Sequence, residues 1–120
     1  MGKWRSIAAV VLAVLGLGGA LVAPAQAGKS VRKNVKVGDY FFSPRKLTIK
    51  KNTTVIWHWP KIAGDTHDVA LKKGPKGVKK FRSDYFAAGV SYKQKFKVKG
   101  TYSIYCTLHP TTMKETIVVK

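Results

Sequence analysis

Acidic side chains, cysteines and histidines are scarce in this sequence. Its 120 residues include 5 Asp and Glu against 23 Lys and Arg, with one Cys, three His and two Met. A single Cys excludes a framework of disulfide bonds, and the length allows one ordinary domain but no large enzyme with several sites. The formal net charge of +18 favours acidic partners or anionic surfaces and polymers.

The apolar run near the start of the chain is too short for a membrane span. It covers residues 7–22, follows two basic residues, and precedes the small residues Ala25 and Ala27, whereas a span needs about 20 apolar residues. This pattern is typical of a secretory signal peptide cleaved after Ala27. We therefore predict a signal peptide over residues 1–27 and a secreted or extracytoplasmic domain over residues 28–120, in the periplasm or outside the cell, with no membrane span after cleavage.

Signatures of nucleic-acid recognition are also missing. The sequence has no helix-turn-helix, zinc-finger or RNA-recognition pattern, and the signal peptide directs the chain out of the cytoplasm. No specific nucleic-acid partner is expected. The positive charge therefore indicates the kind of partner and leaves the activity open.

The exported part shows little helical periodicity, whereas apolar and polar residues alternate repeatedly. The alternating apolar positions include Leu47 and Ile49, Val55 and Trp57, Phe96 and Val98, Tyr102 and Ile104, and Ile117 and Val119. Seven or eight short strands in a chain of this length predict an all-β fold, an antiparallel Greek-key β-sandwich. We also predict a hairpin around Asn52, a short helical turn within residues 81–88, and a solvent-facing row of lysines at Lys93, Lys95 and Lys97.

One short segment combines a thiol, an imidazole and a thioether. Cys106, His109 and Met113 lie on one loop between two predicted strands. His67, in the inward phase at the start of another strand, can add a second imidazole. Two nitrogens, a thiolate and a weak axial thioether suit copper, because both of its oxidation states tolerate this mixed set. The sequence therefore predicts one copper ion, Cu(I) or Cu(II), at His67, Cys106, His109 and Met113.

Each of these residues also has a simpler interpretation. A lone buried Cys or Met is usually a core side chain, zinc would prefer a fourth strong ligand to a thioether, and a catalytic Cys–His pair would need a substrate cleft. Metal ligation would explain why Cys106 stays unpaired in an oxidising compartment. His58, the third histidine, lies in the outward phase between Trp57 and Trp59 and is expected on the surface.

Around these residues the sequence resembles the cupredoxins, the small blue copper proteins of the plastocyanin and amicyanin kind. The similar segments cover most of the exported chain and are Phe41-Phe42-Ser43-Pro44, Leu47-Thr48-Ile49, Val55-Ile56-Trp57, Thr66-His67-Asp68-Val69 and Gly100-Thr101-Tyr102-Ser103-Ile104-Tyr105-Cys106. The resemblance implies a sandwich with type 1 copper near one end. It also implies that His67, Cys106 and His109 bind the copper in a plane, that Met113 binds axially, and that a ring edge of His109 serves as the electron port.

Two positions depart from the family pattern. The gap between His109 and Met113 is intermediate between the shorter loop of amicyanins and the longer one of plastocyanins. Asp68 stands where the family usually has Asn, whose side chain ties the two ligand segments together. Its carboxylate can still accept a hydrogen bond from Thr107, although it adds negative charge beside the metal.

The resulting expectation is an extracytoplasmic mononuclear type 1 copper protein that carries single electrons between acidic redox proteins. It would be a monomer and not an enzyme. Two alternatives stay open: a copper storage or delivery protein that uses the same ligands, and a basic module that binds anionic polymers. A multicopper oxidase is excluded, because a trinuclear centre needs many more histidines than three.

Overall fold

The computed structural model describes residues 30–120, which form eight strands and, within that range, no helix. The strands are β1 (Arg32–Gly38), β2 (Phe41–Ser43), β3 (Lys46–Ile49), β4 (Thr53–His58), β5 (Ala70–Lys73), β6 (Ser91–Phe96), β7 (Gly100–Tyr105) and β8 (Lys114–Val119). The signal peptide expected over residues 1–27 lies outside the described residues. Among the described residues no helix is long and apolar enough to cross a membrane.

The strands form two four-stranded sheets, in the orders β2-β1-β4-β6 and β3-β8-β7-β5. Their inward side chains meet in one core that contains Val37, Phe42, Trp57, Tyr102 and Ile117, so the all-β sandwich of about eight strands is confirmed. Each sheet also contains one parallel pair, β1 with β4 and β3 with β8. The antiparallel description therefore holds for the other pairs only.

The predicted hairpin around Asn52 is wrong. Asn52 does lie in a turn and has a positive φ of 74°, but the strands on its two sides belong to different sheets. Backbone hydrogen bonds hold this crossing, from Lys51 N to Lys120 O (2.9 Å) and from Asn52 N to Phe96 O (2.7 Å). Both strands point their apolar side chains into the same core, so their alternation is the one that a hairpin would show.

Residues 81–86 are extended and residues 87–88 lie in a bend, so the prediction of a helical turn within residues 81–88 is wrong. The extended segment runs beside the chain that leads into β5, with isolated bridges from Phe86 to His67 and from Arg82 to Ala70. His67 N donates to Phe86 O at 2.9 Å and Phe86 N donates back to His67 O at 3.0 Å. This segment therefore fixes the backbone of His67 from outside the two sheets.

Lysines occupy the exposed face of the edge strand β6. Lys93 and Lys95 are exposed, and Lys97 follows them in the same outward phase, as the alternation predicts. Charged side chains on an edge strand discourage pairing with a second chain. Val98, which the pattern places inward, is 43% exposed, because β6 ends at Phe96 and the alternation ends with it.

Candidate metal centre

The loop between β7 and β8 is closed by its own backbone. Cys106 N donates to Met113 O and Met113 N donates to His109 O, both at 3.0 Å, and His109 N donates to Cys106 O at 3.2 Å. Cys106 directly follows β7 and Met113 directly precedes β8. Each of the three residues that the sequence singles out on this loop therefore has a backbone position fixed by another of them.

Three side-chain donor atoms converge at this end of the sandwich. The distance from Cys106 Sγ to His109 Nδ1 is 3.6 Å, from Cys106 Sγ to His67 Nδ1 is 3.9 Å, and from His67 Nδ1 to His109 Nδ1 is 3.3 Å. These three residues form a group whose spacing can hold a metal ion. Cys106 and His67 are buried, while His109 keeps about a fifth of its side chain exposed.

The thiol of this group is poorly suited to act as a nucleophile. Burial raises the pKa of Cys106, and backbone hydrogen bonds with Asp68, Leu108 and His109 oppose this effect without overcoming it. A thiol whose pKa is raised stays protonated at neutral pH, and only the thiolate is reactive. Cys106 is also fully buried, which leaves no room for a substrate beside its sulfur.

Met113 and His58 lie in different surroundings. Met113 is fully buried at the end of the closed loop. His58 is exposed on β4, where its Nε2 lies 2.8 Å from Asn34 Oδ1, and it does not belong to the group of His67, Cys106 and His109. The surface position expected for His58 is therefore confirmed.

Asp68, the residue after His67, connects that part of the chain to the loop between β7 and β8, which we call the metal loop (residues 106–113). Its buried carboxylate accepts hydrogen bonds from Thr107 N and Thr107 Oγ1, both at 2.7 Å, as the sequence suggested. Arg82 Nε also donates to Asp68 Oδ2 at 3.0 Å, a contact that nothing in the local pattern indicates. The guanidinium balances the charge that distinguishes Asp68 from the usual Asn, because a buried carboxylate is costly unless it is paired and hydrogen-bonded.

Two further carboxylates lie beside the Nε2 atoms of His67 and His109, the ring nitrogens that point away from Cys106. His67 Nε2 lies 2.9 Å from Asp39 Oδ1, and His109 Nε2 lies 3.4 Å from Asp65 Oδ2. The hydrogen bond with His67 is the largest cause that lowers the pKa of Asp39, and the backbone N–H of Thr66 is the largest cause that lowers the pKa of Asp65.

Sequence analysis missed Asp39 and Asp65. The sequence did contain one indication, which is that acidic residues are rare in it. Three of its 5 acidic residues, Asp39, Asp65 and Asp68, lie around the group of His67, Cys106 and His109.

Tyr40 covers both imidazole rings from the tip of the turn between β1 and β2. Its ring meets those of His67 and His109 edge to face, with centroids 5.8 Å and 4.9 Å apart, and its hydroxyl donates to Asp65 Oδ2 at 3.0 Å. Tyr40 has a φ of 69°, a conformation that is uncommon for a bulky residue and is found at sites where the surroundings enforce it.

Comparisons with known proteins agree with a metal site at His67, Cys106 and His109. A family model described as copper binding proteins of the plastocyanin/azurin family matches residues 29–120. The chain belongs to the plastocyanin/azurin family. Among curated relatives, amicyanin of Paracoccus versutus is 35% identical over 75 residues, a match that covers 61% of this chain and 54% of that protein. Plastocyanin of Scenedesmus fuscus is 34% identical over 98 residues, covering 76% of this chain and 98% of that protein.

Solved structures of the plastocyanin/azurin family show the same fold. The crystal structure of amicyanin from Paracoccus versutus matches with a TM-score of 0.63 and 30% identity, over 82% of this chain and 85% of that one. A variant of amicyanin in its reduced state matches with a TM-score of 0.64 and 25% identity, over 80% of this chain and 90% of that one. The cupredoxin resemblance inferred from the sequence is thus confirmed.

The donor set fits the cofactor of this copper-binding family. Two imidazole nitrogens and a cysteine sulfur within bonding range of one point form a mixed nitrogen and sulfur site, which suits copper. The expectation of a single copper ion as cofactor is confirmed by the family and by this geometry.

Proposed function

We propose that this chain is an extracytoplasmic type 1 copper protein that carries single electrons between redox proteins and is not an enzyme. The observation that carries the proposal is the convergence of His67 Nδ1, His109 Nδ1 and Cys106 Sγ within 3.9 Å of one another. In this proposal His67, Cys106 and His109 would hold the copper, and the buried Met113 would be a fourth, weaker ligand. Copper, when bound, supplies a one-electron couple between Cu(II) and Cu(I).

The residues around the group favour electron transfer because they hold the ligands in fixed positions. The backbone bonds of the closed loop fix Cys106 and His109, and Asp68 joins that loop to the segment of His67 through Thr107. A site that keeps its geometry needs little rearrangement when its charge changes by one electron. Little rearrangement in turn favours fast exchange.

His109 offers the shortest route from the group to solvent. Its side chain is partly exposed, whereas Cys106 and His67 are buried. The neighbouring Leu108 is 48% exposed and gives the surface beside the ring an apolar character. We propose that redox partners dock briefly at this end and that the imidazole edge of His109 carries the electron.

The charge of the chain and the composition of its first residues support a proposal for its partners and its location. We propose that residues 1–27 direct export and are then cleaved off, and that the domain of residues 28–120 acts as a monomer in the periplasm or outside the cell. The excess of lysines, with a formal net charge of +18 on the whole chain, would speed encounters with acidic partner proteins.

Spectroscopy of the purified protein with one equivalent of Cu(II) tests this function. We expect an intense blue colour and the paramagnetic resonance signal of a type 1 site, because charge transfer from the Cys106 thiolate produces the colour. Cys106→Ser should remove both features, whereas His58→Gln should keep them, because His58 is exposed and lies outside the group. A colourless Cu(II) complex of the wild type contradicts the proposal. Tightly bound copper that exchanges no electrons with small mediators would favour storage or delivery.

A further inference from the structure

The two histidines of the group share an arrangement that their roles as ligands do not require. In each ring Nδ1 points toward the other donors and Nε2 points away. Each outer nitrogen meets a carboxylate, at 2.9 Å for His67 and at 3.4 Å for His109. The shorter contact, between His67 and Asp39, has hydrogen-bond geometry and is the one with consequences for the metal.

Asp39 is fixed in place although it lies at the surface. Its side chain is 51% exposed, yet Oδ1 accepts both the imidazole N–H of His67 and the backbone N–H of Asp65, each at 2.9 Å. Gly64 leaves the space that the carboxylate occupies, because a Cβ at Gly64 would lie 2.7 Å from both carboxylate oxygens. The loop before His67 is therefore shaped around this carboxylate.

This contact determines which nitrogen of His67 can bind a metal. In a neutral imidazole that donates Nε2–H to a carboxylate, the free lone pair is on Nδ1, and Nδ1 is the atom that faces Cys106 and His109. A negative charge hydrogen-bonded to a ligand histidine also makes that ligand more basic. A more basic ligand stabilises Cu(II) more than Cu(I), because the ion with the higher charge gains more from it.

We propose that Asp39 is a positioning residue, which fixes His67 with Nδ1 toward the metal and lowers the reduction potential of the copper site. This inference rests on the proposed function, because it concerns the same copper. Asp39 would act through His67 and touch neither the metal nor a redox partner. Its effect should therefore appear in the potential and in copper affinity, and leave the fold intact.

Two substitutions separate the charge of Asp39 from its hydrogen bond. Asp39→Asn keeps an oxygen that can accept from His67 Nε2–H and removes the charge. We expect it to weaken Cu(II) binding relative to Cu(I) about tenfold, which for a one-electron couple raises the potential by about 59 mV. Asp39→Ala also removes the acceptor, and we expect total copper affinity to fall further, by about 10- to 100-fold.

The matched control is Asp84→Asn, which removes the same charge from an exposed residue whose side chain contacts neither histidine. Potentials are measured by redox titration of the copper-loaded proteins at one pH and one ionic strength, and folding is checked by circular dichroism. The inference is supported when Asp39→Asn raises the potential and Asp84→Asn does not.

Other outcomes separate the two proposals. Equal potentials for Asp39→Asn and the wild type, or equal shifts in Asp39→Asn and Asp84→Asn, overturn the role of Asp39 and leave the copper assignment intact. A wild type that forms no blue complex overturns the proposed function itself. If Asp39→Ala unfolds, the comparison of Asp39→Asn with Asp84→Asn still decides.

Discussion

Glu115 is a carboxyl group in the middle of the core, and its protonation should control stability as pH changes. It lies on β8 with 2% of its surface exposed, and its Oε1 accepts the indole N–H of Trp57 across the sandwich at 2.8 Å. Among the described residues, Oε2 has no hydrogen-bond partner. Burial raises the pKa of Glu115 from 4.5 to about 7, and the Trp57 hydrogen bond opposes this rise.

The sign of the effect follows from this raised pKa. The folded protein holds the proton of Glu115 more tightly than the unfolded chain does, so its contribution to stability is complete below pH 4.5. That contribution is lost as the pH rises through about 7. One pKa unit corresponds to about 1.4 kcal/mol, so we expect the free energy of unfolding to fall by about 2 to 3 kcal/mol between pH 5 and pH 8 through Glu115 alone.

Urea unfolding of the metal-free protein at a series of pH values measures this loss. Other groups titrate over the same range, so the informative quantity is the difference between the wild type and Glu115→Gln. The glutamine can accept from Trp57 but cannot ionise. We expect Glu115→Gln to gain about 2 to 3 kcal/mol relative to the wild type between pH 5 and pH 8.

Trp57→Phe provides a second check, because it removes the donor that favours the ionised form. The Trp57→Phe variant should therefore lose the contribution of Glu115 at a higher pH than the wild type does. Parallel pH profiles for the wild type and Glu115→Gln would refute the reasoning, since they would mean that Glu115 has the same pKa in the folded and unfolded chains.

Three further predictions concern the site and the surface. Met113→Leu should keep copper but raise the reduction potential, because the loss of a weak donor destabilises Cu(II) more than Cu(I), whereas Met113→Gln should lower the potential. If redox titration shows no shift in either variant, Met113 is a packing residue and not a ligand. Replacing Lys93 and Lys95 by Gln should slow association with an acidic redox partner at low salt, as stopped-flow kinetics would show, and leave the copper spectrum unchanged. Arg82→Leu should cost about 1 kcal/mol in urea unfolding, a modest loss because the Arg82 side chain is half exposed. The loss should be smaller in an Asp68→Asn background, where the guanidinium has no charge to balance.

The convergence of His67, Cys106 and His109 could be predicted from the sequence, because most of the candidate ligands lie on one short loop. Cys106, His109 and Met113 lie on one loop, so their mutual distances depend on local backbone geometry. His67 could be found from the alternation of apolar and polar residues alone, because it lies in the inward phase at the start of a strand. Neither Asp39 nor Tyr40 could be found in this way, since both reach the group from a turn that precedes His67 by more than twenty residues and carries no motif.

The topology was only partly predictable, for a different physical reason. Alternation of apolar and polar residues shows which side of a strand faces the core but not which sheet the strand joins. The strands of Ile49 and Val55 were therefore predicted to form a hairpin, although they belong to different sheets. Glu115 was missed because a carboxylate in an inward phase is normally taken as the end of a strand. Its partner, Trp57, lies on a strand of the opposite sheet.

The closed metal loop is attached at both ends to strands in the interior of a sheet. In the order β3-β8-β7-β5, both β7 and β8 have a neighbour on each side, so neither end of the loop can move without breaking two sets of backbone hydrogen bonds. The residues between Cys106 and Met113 belong to neither strand. The sandwich thus holds both ends of the loop in place without depending on the residues between them. We therefore expect that changes in the length or sequence of the loop can alter the properties of the metal site while the fold stays the same.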